Sequence, residues 1–305
     1  IMEDRDIKHT AYSITPMISL YGKVGDSYKA DGLLVMMKAK GIERIVTIYN
    51  SLLKCHANDT VKVDDLYAQM IEDGVKPDVV TYNTMIRAYS GYLARVDELY
   101  RKMIEEDIKP DVISYNTMID SYAKNDRIEK AIEVFESMKK DGIASSVVTY
   151  TTMIDAYAKS GMLKKAAEMY ESMKNDGISP NVVTYNSMID AYAKSDRLEQ
   201  AIETYASMKR EGLIPDDITF RTILDCYAKT GKHLSEMLKT VKEMKESSIE
   251  LDIRAWNNIL EGYCRADGEE DRKNAIFIWK YLSGQISHES MGIDLPVKSS
   301  HIVPD

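Results

Sequence analysis

The sequence predicts an all-α fold, a right-handed superhelical solenoid of stacked antiparallel helix hairpins, and three observations predict it. One segment recurs with a period near 35 residues. Within each copy the apolar residues fall at helical spacing. Glycine, proline and capping residues then recur at matching places. VISYNTMIDSYAK begins at Val112, VVTYTTMIDAYAK at Val147 and VVTYNSMIDAYAK at Val182, each 35 residues after the last. VVTYNTMIRAYS begins at Val79, and weaker copies are DITFRTILDCYAK from Asp217 and IRAWNNILEGYCR from Ile253. VTIYNSLLKCH from Val46 and AYSITPMISLYGK from Ala11 come before them. Self-similarity at a fixed period marks supersecondary units that bury their apolar faces only by stacking.

These starts divide residues 11–283 into about eight units, beginning near 11, 46, 79, 112, 147, 182, 217 and 253. Residues 1–10 are expected to be the tail of a preceding unit, because EDRDIKHT parallels EEDIKPD at 105–111. The chain is therefore expected to begin inside a longer array. Residues 284–305 carry Ser, Gly and Pro and are expected to form a loosely ordered C-terminal tail.

Each unit reads as two helices. In the first helix, unit positions 4, 7, 8 and 11 are apolar, as in Tyr185, Met188, Ile189 and Tyr192. That i, i+3, i+4, i+7 pattern is one stripe of a helix. The second helix follows in DRLEQAIETYASMKREG, with Leu198, Ala201, Ile202, Tyr205 and Met208 on its stripe. Asp196, three residues before Glu199, has the spacing of a capping box. Gly212 falls where a left-handed C-terminal residue belongs, and Pro215 follows as a stop. Gly142 and Gly177 repeat the first signal; Pro77, Pro110 and Pro180 repeat the second. The units at 46–78 and 79–111 are two residues short, and the loss falls between their two helices. The 18 Met and 20 Tyr are mostly this core recurring.

Composition and motifs exclude several function classes. No apolar run approaches the roughly 18 residues of a membrane span, so no membrane partner is expected. Cys55, Cys226 and Cys264 are far apart, as expected for free thiols in a reducing compartment. The histidines His9, His56, His233, His288 and His301 make no H-x-x-x-H or H-E-x-x-H pair. His288-Glu289 lacks the C-x-x-C of a zinc deaminase, and there is no glycine-rich phosphate loop. No catalysis, cofactor, metal site or small-molecule substrate is expected, and the chain is expected to be a monomer or weak dimer. The net charge of −9 argues mildly against nucleic acid, but the distribution of charge matters more than its sum.

A 35-residue hairpin written V-V-T-Y-N-T-M-I-D-x-Y-A-K, with M-x-x-x-G-I-x-P-D closing the unit, resembles the pentatricopeptide repeat family. The likeness covers residues 1–283 and is most specific over 79–216. The tetratricopeptide W-x-x-L-G pattern is missing. The resemblance implies a sequence-specific binder of single-stranded RNA, in chloroplasts or mitochondria. It also implies that unit position 5 and the last unit position together choose one base, read 5′ to 3′ along the chain.

The residues at these positions suit that role. Position 5 holds Thr15, Asn50, Asn83, Asn116, Thr151, Asn186, Arg221 and Asn257. Asn is a mediocre helix former, but it offers a donor and an acceptor to a base edge. The alternative is a surface amide near a helix start. The last position holds Asp78, Asp111, Ser146, Asn181, Asp216 and Asp252, which could equally serve only to cap the next helix. Position 2 holds Val80, Ile113, Val148, Val183 and Ile218, off the core stripe. The resemblance makes these wedges between bases; plain contact between units is the alternative. Position 13 holds Lys23, Lys124, Lys159, Lys194, Lys229 and Arg265, a stripe for phosphates or cations complementing a helix dipole.

The family's code, carried over, reads U for Asn50 with Asp78 and for Asn83 with Asp111. It reads C for Asn116 with Ser146, A for Thr151 with Asn181, and U for Asn186 with Asp216. The predicted core is U-U-C-A-U. Thr15 with Ile45, Arg221 with Asp252, and the unit at 253, where Arg254 replaces the aliphatic residue, depart from the pattern. Two other readings remain: a protein-binding helical scaffold, and the substrate-binding half of a larger RNA-processing enzyme.

Overall fold

The structure, a computed structural model, describes residues 10–231 and 233–266 and the single positions 268, 273 and 280. The expected C-terminal tail, nearly all of the expected N-terminal remnant, and most of the stretch expected to form the last unit's second helix lie outside the described residues. Every regular element among the described residues is an α-helix.

The helices alternate as the repeat requires. First helices of the hairpins are α1 (Ala11–Val24), α3 (Val46–Cys55), α5 (Val79–Ala88), α7 (Val112–Lys124), α9 (Val147–Lys159), α11 (Val182–Lys194), α13 (Asp217–Thr230) and α15 (Ile253–Arg265). Second helices are α2 (Ser27–Ala39), α4 (Thr60–Glu72), α6 (Leu93–Glu105), α8 (Ile128–Lys140), α10 (Leu163–Asn175), α12 (Leu198–Arg210) and α14 (Leu234–Glu246). In the two short hairpins, α3 and α5 have 10 residues where α7 has 13.

The chain forms two compact units that meet in sequence within α9, at residues 156 and 157. In the first, α1, α3, α5 and α7 pack successively along one another, each also against its own second helix. In the second, α11, α13 and α15 pack successively along one another, α11 and α13 each also against its own second helix. The core is the predicted stripe: Tyr49, Tyr82, Tyr115, Tyr150 and Tyr185 at position 4 are all buried, as are the Ile or Leu residues at position 8 of the same units.

Four of the position-4 rings meet an aromatic ring from the preceding second helix, edge to face. Centroids lie 6.4 Å apart for Tyr67–Tyr82 and Tyr100–Tyr115, 6.3 Å for Phe135–Tyr150 and 5.9 Å for Tyr170–Tyr185. Such pairs add stability beyond the buried area. Several of the phenols find acceptors at the rim of the core, Tyr49 on Asp73 and Tyr115 on Asp141.

The link between the two helices of a hairpin departs from the expected capping box. Asp196 is not an N-cap: its φ is +56°. The N-cap of α12 is Arg197, which makes no side-chain cap bond. The chain must reverse in three residues, and the Arg197 N–H closes that turn on the Tyr192 carbonyl at 2.9 Å. The turn demands a left-handed residue, and Gly25, Asp126, Gly161 and Gly231 occupy the same place with φ of +56 to +79°. Asp tolerates this region better than most residues but at a cost. Asp126→Gly and Asp196→Gly are each expected to stabilise the protein by about 0.5 kcal/mol, once the extra freedom of glycine in the unfolded chain is subtracted. Thermal unfolding of the two variants against wild type checks this, with Gly161→Asp as the destabilising counterpart.

Candidate nucleic-acid interface

The side chains expected to read bases meet in pairs. Asn50 Nδ2 donates to Asp78 Oδ1 at 3.0 Å, and Asn83 Nδ2 to Asp111 Oδ1 at 3.1 Å. Asn116 Nδ2 donates to Ser146 Oγ at 3.4 Å. Asn186 Nδ2 reaches both oxygens of Asp216, at 3.0 and 3.1 Å. In the departing unit, Arg221 bonds Asp252 and also Asp217, the latter at 2.7 Å. Position 5 and the last position are therefore coupled across the hairpins that begin at 46, 79, 112, 182 and 217. They are not coupled across the first, where Thr15 donates to the Ala11 carbonyl and the Ile45 side chain has no polar group. Thr151 belongs to the first compact unit and is 9% exposed; Asn181 belongs to the second and caps α11.

Capping and pairing coexist at the last position. Asp78 Oδ1 accepts the Thr81 N–H at 2.9 Å, Asp111 Oδ1 that of Ser114 at 2.8 Å, and Asp216 Oδ1 that of Thr219 at 2.9 Å. The cap orients the carboxylate, and the oriented carboxylate holds the amide. At Asp216 burial pushes the carboxyl up. The Thr219 N–H, the Asn186 amide and the Thr219 hydroxyl outweigh burial and hold it below the ordinary carboxylate value. It is ionised at neutral pH and acts as an acceptor.

Position 5 is mostly not an open surface amide: Asn116 and Asn186 are half-buried, and only Asn257, in the last described first helix, is exposed. Asn50 and Asn83 are only 6% exposed, because successive first helices pack on either side of them. A third residue completes the cluster and was not singled out from sequence. Thr81 Oγ1 donates to Asn50 Oδ1 at 2.7 Å, and Thr219 Oγ1 to Asn186 Oδ1 at 2.6 Å. The signal was present: a Thr or Ser recurs at position 3 of the units from 79 to 217.

Position 2 faces solvent. Val80, Ile113, Val148, Val183 and Ile218 are exposed, from 38% at Val80 to 61% at Ile218, so none is simply core. Tyr12, at the same place in α1, is 83% exposed and offers a ring where the others offer an alkyl group.

The position-13 cations are exposed, and several are paired. Lys124 meets Asp120, Lys194 meets Asp190, Lys229 meets Asp225 and Arg265 meets Glu261, each at 2.6 Å and four residues apart. Lys23 and Lys159 are also exposed. The row thus alternates in sign rather than being uniformly basic. Exposed i, i+4 pairs contribute only about 0.3–0.5 kcal/mol, so a phosphate can displace the acid. The glutamates Glu129, Glu133, Glu136, Glu199 and Glu203 on the second helices are exposed as well.

In the second compact unit Arg221 and Arg254 line an open cleft of about 500 Å³ with Lys194, Lys229, Asp190 and Asp225. Among the described residues, no three His, Cys, Asp or Glu side chains cluster to hold a metal, and no helix is long and apolar enough to cross a membrane.

Three family models match the sequence. The "PPR repeat family" model matches 110–159, 145–194 and 180–229, the "Pentatricopeptide repeat domain" model matches 1–59 and 65–125, and the "PPR repeat" model matches 218–249. No curated protein matches the chain by sequence. Among solved structures it is similar to the pentatricopeptide repeat protein PPR10 from maize, with a TM-score of 0.60 and 23% identity over 88% of this chain and 39% of that one. PPR10 in complex with an 18-nt psaJ RNA element gives 0.54 and 22%, over 93% of this chain and 47% of that one. The PPR domain of Arabidopsis thaliana protein-only RNase P 1, in complex with tRNA, gives 0.50 and 16%, over 59% of this chain and 97% of that one. The chain spans less than half the length of the maize protein chains. At these identities the structural likeness concerns the fold. The family models, which together take in residues 1–59 and 65–249, place the chain in the pentatricopeptide repeat family.

Proposed function

We propose that the chain binds single-stranded RNA, one base per unit, with the core U-U-C-A-U read 5′ to 3′. It would do so in a chloroplast or mitochondrion, serving processing, stability or translation of a transcript, as a monomer or weak dimer without catalysis of its own. The observation that carries the reading is the pairing of position 5 with the last position in four Asn-bearing hairpins. An amide nitrogen has two hydrogens, and the carboxylate takes one. The other is left for a base carbonyl. At Asp78 and Asp111 the second oxygen is left for a base N–H. Uracil presents a carbonyl beside an N–H, which matches such a pair. A serine in place of the aspartate can donate, which suits the ring nitrogen of cytosine. The exposed aliphatic row supplies surfaces between which bases could insert, and PPR10 was solved with an RNA element bound.

Salt dependence tests the proposal. If about five phosphates lie on the position-13 row, log K should fall with log salt at a slope near −3.5, a loss of roughly 100-fold between 50 and 200 mM. Lys124→Ala and Lys194→Ala should each flatten that slope by about 0.7. A flat response to salt, with U-U-C-A-U bound no better than its complement, overturns RNA reading and favours a protein on the aliphatic row.

A further inference from the structure

We infer that the position-3 hydroxyl of the following hairpin sets how strictly each position-5 asparagine discriminates, so that units with identical Asn–Asp pairs differ in stringency. The inference rests on the RNA reading above and concerns the same site.

Three units share the pair Asn with Asp, yet their amides are held differently. Asn50 has both ends fixed, its nitrogen on Asp78 and its oxygen under the Thr81 hydroxyl at 2.7 Å. Asn186 is held more firmly still, its nitrogen on both oxygens of Asp216 and its oxygen under the Thr219 hydroxyl at 2.6 Å. In Asn83 only the nitrogen is held. Its oxygen is buried and has no partner among the described residues. The residue that should reach it is Ser114, whose hydroxyl donates only to Asp111 Oδ1, at 3.0 Å. The Thr81 and Thr219 hydroxyls lie between the asparagine oxygen and their own aspartate, at 3.0 and 2.8 Å from the latter, and share one hydrogen between the two. Asn116 is loosest: its oxygen is also buried without a partner, its nitrogen bond is 3.4 Å long, and the Thr149 hydroxyl lies against Ser146 at 3.0 Å.

The amide orientation is fixed by chemistry, since a carboxylate only accepts and must face the nitrogen. A held amide therefore presents an N–H to the base. Uracil offers a carbonyl there; cytosine offers an amino group, donor against donor. To accept cytosine the amide must rotate and turn its oxygen outward. At Asn50 or Asn186 that rotation breaks the threonine bond. At Asn83 and Asn116 it breaks only the nitrogen's bond, to Asp111 or the long one to Ser146, and the oxygen gains a partner. Buried acceptors without partners are costly, so the loose amides favour any base that can supply an N–H. The order of strictness is Asn186, Asn50, Asn83, Asn116. This gives a physical reason for cytosine at the Asn116 unit and distinguishes three units that share one pair.

The test is competition binding of the purified chain with oligomers bearing single U→C changes. The expected loss is about 10-fold or more at the first and fifth bases, opposite Asn50 and Asn186, and about 3-fold or less at the second, opposite Asn83. Ser114→Thr, which places the neighbours' residue at this site, should raise the second-base penalty toward that of the first. Thr81→Val should lower the first-base penalty. Should Thr81→Val fail to fold by circular dichroism, Ser114→Thr decides alone. Equal and sizeable U→C penalties at all three bases, unmoved by Ser114→Thr, overturn the inference while leaving base reading intact. No penalty at any base removes base reading itself.

Discussion

Asn186→Thr combined with Asp216→Asn should change the preferred fifth base of the core from U to A. Two features make this pair the cleanest place to look. Both residues lie in one compact unit, and their bonds at 3.0 and 3.1 Å are among the best formed in the row. The shorter Thr leaves space for a purine. Asn in place of Asp removes the charge and adds a donor, matching the ring-nitrogen acceptor of adenine. The fold should tolerate the exchange, because Asn caps a helix as well as Asp does and Asn181 already caps α11 through the Thr184 N–H at 2.9 Å. A well-placed pair of hydrogen bonds discriminates by about 1–3 kcal/mol, so the U-to-A affinity ratio should swing by roughly 30-fold to some tens of thousands-fold as one preference is lost and the other gained. The reciprocal change, Thr151→Asn with Asn181→Asp, should move the fourth base from A to U. Gel shifts with U-U-C-A-U, U-U-C-A-A and U-U-C-U-U read both. Unchanged ratios in both double variants would remove the code from this chain, whatever its overall affinity for RNA.

The sequence carried the hairpin architecture because a repeated pattern averages out local ambiguity. One copy of Y-N-T-M-I-D is a short apolar stripe; several copies in register leave stacked helices as the economical way to bury Tyr82, Tyr115, Tyr150 and Tyr185. The glycines at the ends of the second helices were legible for the same reason, as Gly142, Gly177 and Gly212 all have positive φ. Asp196 misled because Asp serves two turn chemistries. It caps helices and tolerates the left-handed region, and nothing local to D-R-L-E says which applies. The corresponding Gly161 and Gly231 did carry that information. Of the candidate interface, residue identities were legible and partners were not. A lysine at position 13 and an aspartate at position 9 are four residues apart, so their pairing was readable; the basic row was counted without it. The hydroxyls of Thr81 and Thr219 act across about 30 residues of chain, a relation that appears only once the hairpins stack.

Trp256→Ala tests that stacking where it is most exposed to failure. Trp256 is 1% exposed and occupies the position-4 site that Tyr or Phe fills in the other hairpins from 46 onward. It lies in one cluster with Ile223 and Tyr227 of α13 and Met237 and Val241 of α14. Removing a buried indole from such a site costs about 3–5 kcal/mol through lost transfer energy and the cavity left behind. In a stack each hairpin is stabilised mainly by its neighbours, so the loss should appear first as detachment of α15 from α13. Hydrogen exchange in α15 should accelerate by roughly 100-fold or more, while α3 and α5 keep their protection. Ile253→Ala, on the same helix but 67% exposed, is the control and should cost no more than about 0.5 kcal/mol. If the two variants lose equal stability in urea, Trp256 is not the anchor of α15. If Trp256→Ala speeds exchange equally in every helix, the hairpins do not unfold by the nearest-neighbour rule that a solenoid obeys.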